Sequence, residues 1–310
     1  MLTSGVSRFL LSFLLIASCI GCSQKDNNAE FITTFGSEGS GKGEFSYVED
    51  FAFDQFGNVM ITDALNANVQ VFKPDGTYII MFGGKGEKES NLKKPEGIAI
   101  DSDGNIHVAD YLSGFIKKYT PAYQHILTYS GYGTEEGKTQ ETEFMTFHKN
   151  GLLYVPEAGN NRVSVFDSDG KFKFSFGEAG VENGQFNRPE AVKHMSNGNL
   201  VVSDLGNHRI QVFDEYGKFI SSWGQEGRGA GEFKKPSGVA IDSRDNIYVA
   251  EIGNNRIQKF NSKGEFQYMF GSTGRETGEF GNIHGLAIGP DGHLFVADTA
   301  NNRVQVFSVR

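Results

Sequence analysis

The sequence predicts an all-β six-bladed β-propeller of four-stranded antiparallel blades, its ring closed by the N-terminal strand joining the last blade. Three observations carry this expectation. One motif returns six times at a constant interval: the acidic residue ending each copy is Asp63, Asp110, Glu157, Asp204, Glu251 and Asp298, and every step is 47 residues. A fixed period of that size means one supersecondary unit repeated around a closed body. Each repeat also holds four short runs of strand composition, the content of one propeller blade. Finally, the ends complement each other. The last run, Arg303 to Phe307, is a third strand with no fourth after it, while Phe31-Ile32-Thr33-Thr34-Phe35-Gly36 matches the end of a fourth strand. Joining the two leaves no free sheet edge.

Taken in order, the chain opens with an apolar run, FLLSFLLIASCIG (9–21), preceded by Arg8, the only charge before Lys25. The run is too short for an ordinary membrane span and reads as a secretory signal peptide over residues 1–22. Ile16-Ala17-Ser18-Cys19 resembles the bacterial lipobox, in which the cysteine is acylated and becomes the mature N-terminus; Cys22 is the alternative site, with a longer apolar core before it. Residues 23–30 (SQKDNNAE) form a polar tether. No cysteine follows residue 22, so stability must come from burial rather than disulfides. The whole chain carries a net charge of −9, and removing Arg8 with the signal leaves 28 basic against 38 acidic side chains. That balance disfavours a phosphate backbone as partner, and nucleic acid is not expected.

The propeller is expected over residues 31–310, and its repeat is clearest in FKKPSGVAIDSRDNIYVAEIGNNRIQKFNSKGEFQYMFG (233–271). Strand a is read from Val239 to Ile241, b from Asn246 to Ala250, c from Arg256 to Phe260 and d from Glu265 to Phe270. Tight turns join a to b (Gly57-Asn58, Gly104-Asn105, Gly198-Asn199, Gly292-His293) and c to d (Pro74-Asp75-Gly76, Ser168-Asp169-Gly170), where glycine supplies positive φ. Longer Gly-rich connections, such as GSEGSGKGEF (36–45), lead from d to the next a. With 27 Phe against 1 Trp, and 40 Gly, the composition suits sheets packed through aromatic rings and joined by tight turns.

Pro-x-Gly-[IV]-Ala-[IV]-Asp, Asn-[IV]-x-Val-[AS]-[DE] and Asn-x-Arg-[IV]-Gln-x-Phe together resemble the NHL repeat, over residues 31–310. The resemblance implies the six-bladed fold. It leaves activity open, since NHL propellers serve as non-catalytic scaffolds, as RNA- and protein-binding modules of animal ubiquitin ligases, and as a zinc-dependent peptide-amidating lyase. No RING or B-box cysteines precede the propeller here, so the ligase role has no support in the sequence.

Antiparallel pairing puts the start of strand a and the end of strand b on one rim, together with the b–c and d–a loops, and ligands should approach there. At the start of strand a the 47-residue register aligns Glu49, Glu96, Glu143, Glu190, Ser237 and His284 around the channel mouth. Such a ring reads as a water-filled acidic channel, as oxygen ligands for a hard cation such as Ca²⁺, or as a site that uses its carboxylates directly. In the amidating lyase the corresponding positions hold zinc through histidines, and only His284 is present here. The outer acids, Asp63 to Asp298, are followed five residues later by Arg162, Arg209, Arg256 and Arg303 in four blades, and read as architecture. His107, His125, His148, His194, His208 and His293 share no metal-ligand spacing. Blades two and three are the least regular: Phe115 replaces the loop arginine, Pro121-Ala122-Tyr123 replaces Asp-Gly, and residues 133–148 lack the Gly-Glu-Phe and Pro elements.

These readings favour a non-catalytic, monomeric, lipid-anchored binding scaffold of the bacterial cell envelope, presenting its rim to a protein, peptide or glycan. The alternative is a Ca- or Zn-dependent hydrolase or lyase acting at the channel mouth.

Overall fold

The computed structural model describes residues 28–310. The apolar run, Cys19, Cys22 and the first part of the tether lie outside the described residues. Six four-stranded antiparallel sheets form the blades. The fifth is built from Pro236–Ile241, Ile247–Glu251, Arg256–Phe260 and Phe266–Phe270, in that spatial order. In the sixth, the outermost strand is the N-terminal segment Ala29–Phe35, paired antiparallel with Arg303–Val309. The first and last segments thus share one sheet, and the ring is closed.

The inner strand is longer than its apolar pattern predicts. It starts at Pro236 rather than Val239 because proline is tolerated at the first position of a strand, where no ladder N–H is needed. Pairing then skips: Pro236 faces Glu251, and the next regular pair is Val239 with Val249. The same irregularity falls between Val48 and Phe51, Pro95 and Ile98, and Pro189 and Val192. Glu49, Glu96, Glu190 and Ser237 all sit within these bulges, where an unpaired residue re-aims its side chain.

In three blades the neighbouring inner strand approaches so closely that no side chain fits at one register position, held by Gly97, Gly238 and Gly285. A Cβ on Gly285 would stand 1.9 Å from the Glu49 carbonyl oxygen, and one on Gly238 would stand 2.2 Å from that of His284. In these blades the glycine is therefore a packing requirement, while Asp50, Phe144 and Ala191 take the position in the other three.

Phenylalanine explains the outer part of the repeat. The Phe of Gly-Glu-Phe meets the Phe that ends strand c in Phe45–Phe72 (ring centroids 5.7 Å), Phe186–Phe213 (5.4 Å), Phe233–Phe260 (5.6 Å) and Phe280–Phe307 (6.0 Å). Each pair adds about 0.5–1.5 kcal/mol beyond the area it buries. The aliphatic residues of strands a, b and c fill the space between blades and are almost wholly buried.

Candidate functional site

The loop-rich rim is ordered by its outer acids. Glu251 is fully buried and accepts hydrogen bonds from the Lys234 amide (2.9 Å), Asn254 Nδ2 (2.5 Å), Arg256 Nε (2.5 Å) and Gln258 Nε2 (2.9 Å). Arg256 continues to the carbonyls of Arg228, Gly229 and Glu232 in the d–a loop. Asp204 with Arg209, Asp298 with Arg303 and Glu157 with Arg162 repeat the arrangement, with Nε–oxygen distances of 2.8, 2.6 and 2.9 Å. The arginine thus pairs with the acid of its own blade and ties that acid to the preceding connection. Asn255, just before the arginine, turns the chain at φ 49°, and its counterparts Asn161, His208 and Asn302 do so at φ 54°, 56° and 52°. Asn tolerates this left-handed conformation better than most residues. Asp63 is bound by Asn66 and by the Ser46 and Tyr47 amides, and Asp110 only by the backbone amides of Lys93, Lys94 and Ser113.

Inside this frame, the six register-aligned residues follow one another around the ring at or just before the inner strands. Glu49, Glu96, Glu143, Glu190 and Ser237 are buried. Glu143 and His284 precede the regular strand of their blades and are fixed by backbone bonds instead, Glu143 N–H to the Pro156 carbonyl (3.1 Å) and His284 N–H to that of Ala297 (3.2 Å). Ser237 Oγ is turned to the carbonyls of Ile283 (3.4 Å) and His284 (3.3 Å), so its hydroxyl serves the neighbouring backbone rather than the channel.

The carboxyls form a chain. Glu143 lies between Glu96 and Glu190, and each of the two raises its carboxyl. Burial, then the charges of Glu190 and Glu96, pushes the Glu143 carboxyl well above its ordinary range, so it keeps its proton. Glu96 rises to about 8 through burial and the charge of Glu49, although Lys94 Nζ sits 2.5 Å from its Oε1. Glu190 is also raised by burial, against the opposing charges of His284 and Arg188. Burial alone would lower His284, but Glu49, Glu190 and Glu96 hold its proton and lift it to about 9. His284 Nδ1 lies 2.9 Å from Glu49 Oε2, an ion pair in which that oxygen still receives no directed hydrogen bond.

A second set, two positions earlier in each repeat, escaped the sequence reading. Lys94 pairs with Glu96 and lies 4.0 Å above the Tyr111 ring; Arg188 Nη1 pairs with Glu141 at 2.7 Å; and Asn282 Nδ2 contacts both Tyr47 Oη (3.4 Å) and His284 Nε2 (3.2 Å). Counting back from the glutamates would have found them. Deeper in the channel, Lys193 Nζ approaches Asp50 Oδ1 at 4.0 Å. Both break the register, since Asp50 stands where other blades have Gly97, Phe144, Ala191, Gly238 and Gly285.

Among the described residues, no three His, Cys, Asp or Glu side chains converge on a point suited to a metal ion. Lys94 and His284 already sit against Glu96 and Glu49, and no convergent set of ligands is left for a resident zinc or calcium ion. The scattered histidines serve locally: His107 contacts Asp101 and Tyr129, and His148 contacts the Gly198 carbonyl.

Fold and rim together define a six-bladed β-propeller with an acidic channel mouth. Residues 182–268 match the family model described as 6-bladed beta-propeller, and residues 280–307 match the NHL repeat. The chain is a six-bladed β-propeller that carries the NHL repeat. No curated protein matches its sequence. Among solved structures it is similar to an auxiliary nutrient binding protein from Bacteroides thetaiotaomicron (14% identity, 90% of this chain and 76% of that one, TM-score 0.67). It is also similar to virginiamycin B lyase from Staphylococcus aureus (14% identity, 91% and 98%, TM-score 0.63). A gluconolactonase from Xanthomonas campestris is a third (12% identity, 87% and 88%, TM-score 0.65). At these identities the likeness concerns the fold alone.

Proposed function

We propose that this protein is a non-catalytic binding scaffold of the bacterial cell envelope, monomeric and held by a lipid on Cys19 or Cys22, that presents its loop-rich rim to a protein, peptide or glycan. The observation that carries the reading is the self-neutralised mouth. Lys94 Nζ lies 2.5 Å from Glu96, His284 Nδ1 lies 2.9 Å from Glu49, and Glu143 and Glu190 are buried beside them. A ring so paired is a preorganised hydrogen-bonding surface, suited to a polar ligand laid across it. The lyase and gluconolactonase neighbours show that this architecture hosts enzymes, and the nutrient binding protein shows that it also hosts binders. The net charge of −9 speaks against nucleic acid.

The test is capture on a glycan array and on an immobilised peptide library, with Glu96→Ala and Glu190→Ala as comparisons. Binding should be lost in both variants while cooperative unfolding is kept. Unchanged binding would move the site off the mouth. Elemental analysis that found stoichiometric calcium or zinc would favour a metal-dependent hydrolase or lyase instead.

A further inference from the structure

Four blades show what the space between strand c and the d–a loop is built to hold. In each, an arginine opens strand c, gives its Nε to the blade's acid and gives its terminal nitrogens to d–a loop carbonyls. Those carbonyls are register-equivalent: Glu135, Glu182, Gly229 and Glu276 accept from Arg162, Arg209, Arg256 and Arg303, and Thr134 and Arg228 add a second position.

The second blade keeps the acceptors and lacks the donor. All three side chains that bind the acid elsewhere are exchanged: Ser113 for asparagine, Phe115 for arginine and Lys117 for glutamine. Lys117 Nζ takes up the glutamine's partner, the Asn91 carbonyl, together with that of Glu89. The carbonyls of Glu87 and Lys88, equivalent to those that receive a guanidinium elsewhere, receive none here. Asp110 is fully buried, and among the described residues no lysine or arginine nitrogen forms an ion pair with it. The vacated space is a cavity of about 520 Å³, within the size range of ligand sites. Asp110, Phe115, Lys117, Ile126 and Thr128 line it, and Thr128 is the counterpart of Met269, whose sulfur lies 3.0 Å from Arg256 Nη1. Phe115 is 39% exposed and Ile126 51%, so an apolar wall stands open beside a buried carboxylate.

We propose that this cavity receives an arginine side chain from another polypeptide, which completes the second blade as an internal arginine completes its sisters. The guanidinium meets the Glu87 and Lys88 carbonyls over the buried Asp110 charge, the Phe115 ring stacks on its plane, and Ile126 covers the aliphatic stem. The site is separate from the channel mouth, and either assignment can fail without the other.

Nα-acetyl-arginine amide, its lysine counterpart and guanidinium chloride are titrated into the full propeller by NMR. Saturable shifts are expected with the arginine derivative, confined to residues 86–93, 110–117 and 125–128, with at least ~10-fold weaker binding of the lysine derivative and of bare guanidinium. Phe115→Arg, which fills the cavity from within, should abolish the response and raise the melting temperature. Absence of saturable binding, equal binding of the lysine derivative or of guanidinium, or undiminished binding by Phe115→Arg would each overturn the proposal. Should that variant not fold, the shift map of the unmodified protein decides: shifts elsewhere refute the site.

Discussion

Lys193 of the fourth blade and Asp50 of the first reach toward each other across the channel, Nζ to Oδ1 4.0 Å apart. The two blades face each other in a six-fold ring, so this pair spans the axis below the glutamates. Asp50 also accepts the Ile98 amide at 3.2 Å, while its Oδ1 has no hydrogen bond. Burial raises the Asp50 carboxyl above its ordinary value, and Lys193 opposes that rise.

Lys193→Met should therefore cost ~1–3 kcal/mol at neutral pH, by leaving a buried carboxylate without its counter-charge. The cost should grow with pH, because a carboxyl held above its unfolded value loses stability as it ionises. Adding Asp50→Asn should recover most of the loss. Urea unfolding in a double-mutant cycle measures the coupling, and a coupling near zero would mean that the pair does not interact.

The mouth makes a pH prediction of definite sign. Glu96 moves from 4.5 to about 8 and His284 from 6.5 to about 9, so the folded state binds both protons more tightly than the unfolded chain. That stabilisation is complete below the ordinary values and is lost as pH climbs through the folded ones. Stability should fall between about pH 4.5 and 9, most steeply where the two windows overlap. Denaturation midpoints across that range test it. Glu143→Gln, which keeps a donor but removes a titrating group, should flatten the slope; a rise in stability toward alkaline pH would contradict the assignment.

Arg256 stands 10% exposed against a fully buried Glu251 and serves three loop carbonyls as well. Arg256→Ala should cost ~3–5 kcal/mol, since it orphans a buried charge. Phe115→Ala at the same register position should cost less, because Asp110 already lacks an arginine. Chemical denaturation of the two variants compares them directly.

Gly285→Ala places a methyl 1.9 Å from the Glu49 carbonyl oxygen. The inner strands must part, at a cost of ~1–3 kcal/mol. Loosening Glu49 from His284 should also drop the imidazole below its value of about 9, which NMR titration reads. An unchanged titration would show that the contact does not hold the proton.

Much of this was legible because the interactions are local to one repeat. Glu251, Asn254, Arg256 and Gln258 lie within eight residues of chain, and their common period exposed both the fold and the clamp. Phe115 stood out for the same reason. What escaped depends on closure. Asp50 and Lys193 are distant in sequence, and only the ring brings them together. The proton on Glu143 was equally hidden, for it follows from burial beside two carboxyls rather than from residue type. The extension of the inner strand to Pro236 was missed because proline reads as a breaker, although at a strand's first position it costs no bond.

The N-terminal strand that completes the sixth blade has a directional consequence. Ala29 pairs with Val309 and Phe35 with Val304, so the segment enters at the tight-turn rim and runs toward the loops. Asn28, the first described residue, therefore stands at the back of the disc, behind the glutamates and the second-blade cavity. The described chain thus enters on one face of the disc and offers its loops on the other, like a dish fixed from behind.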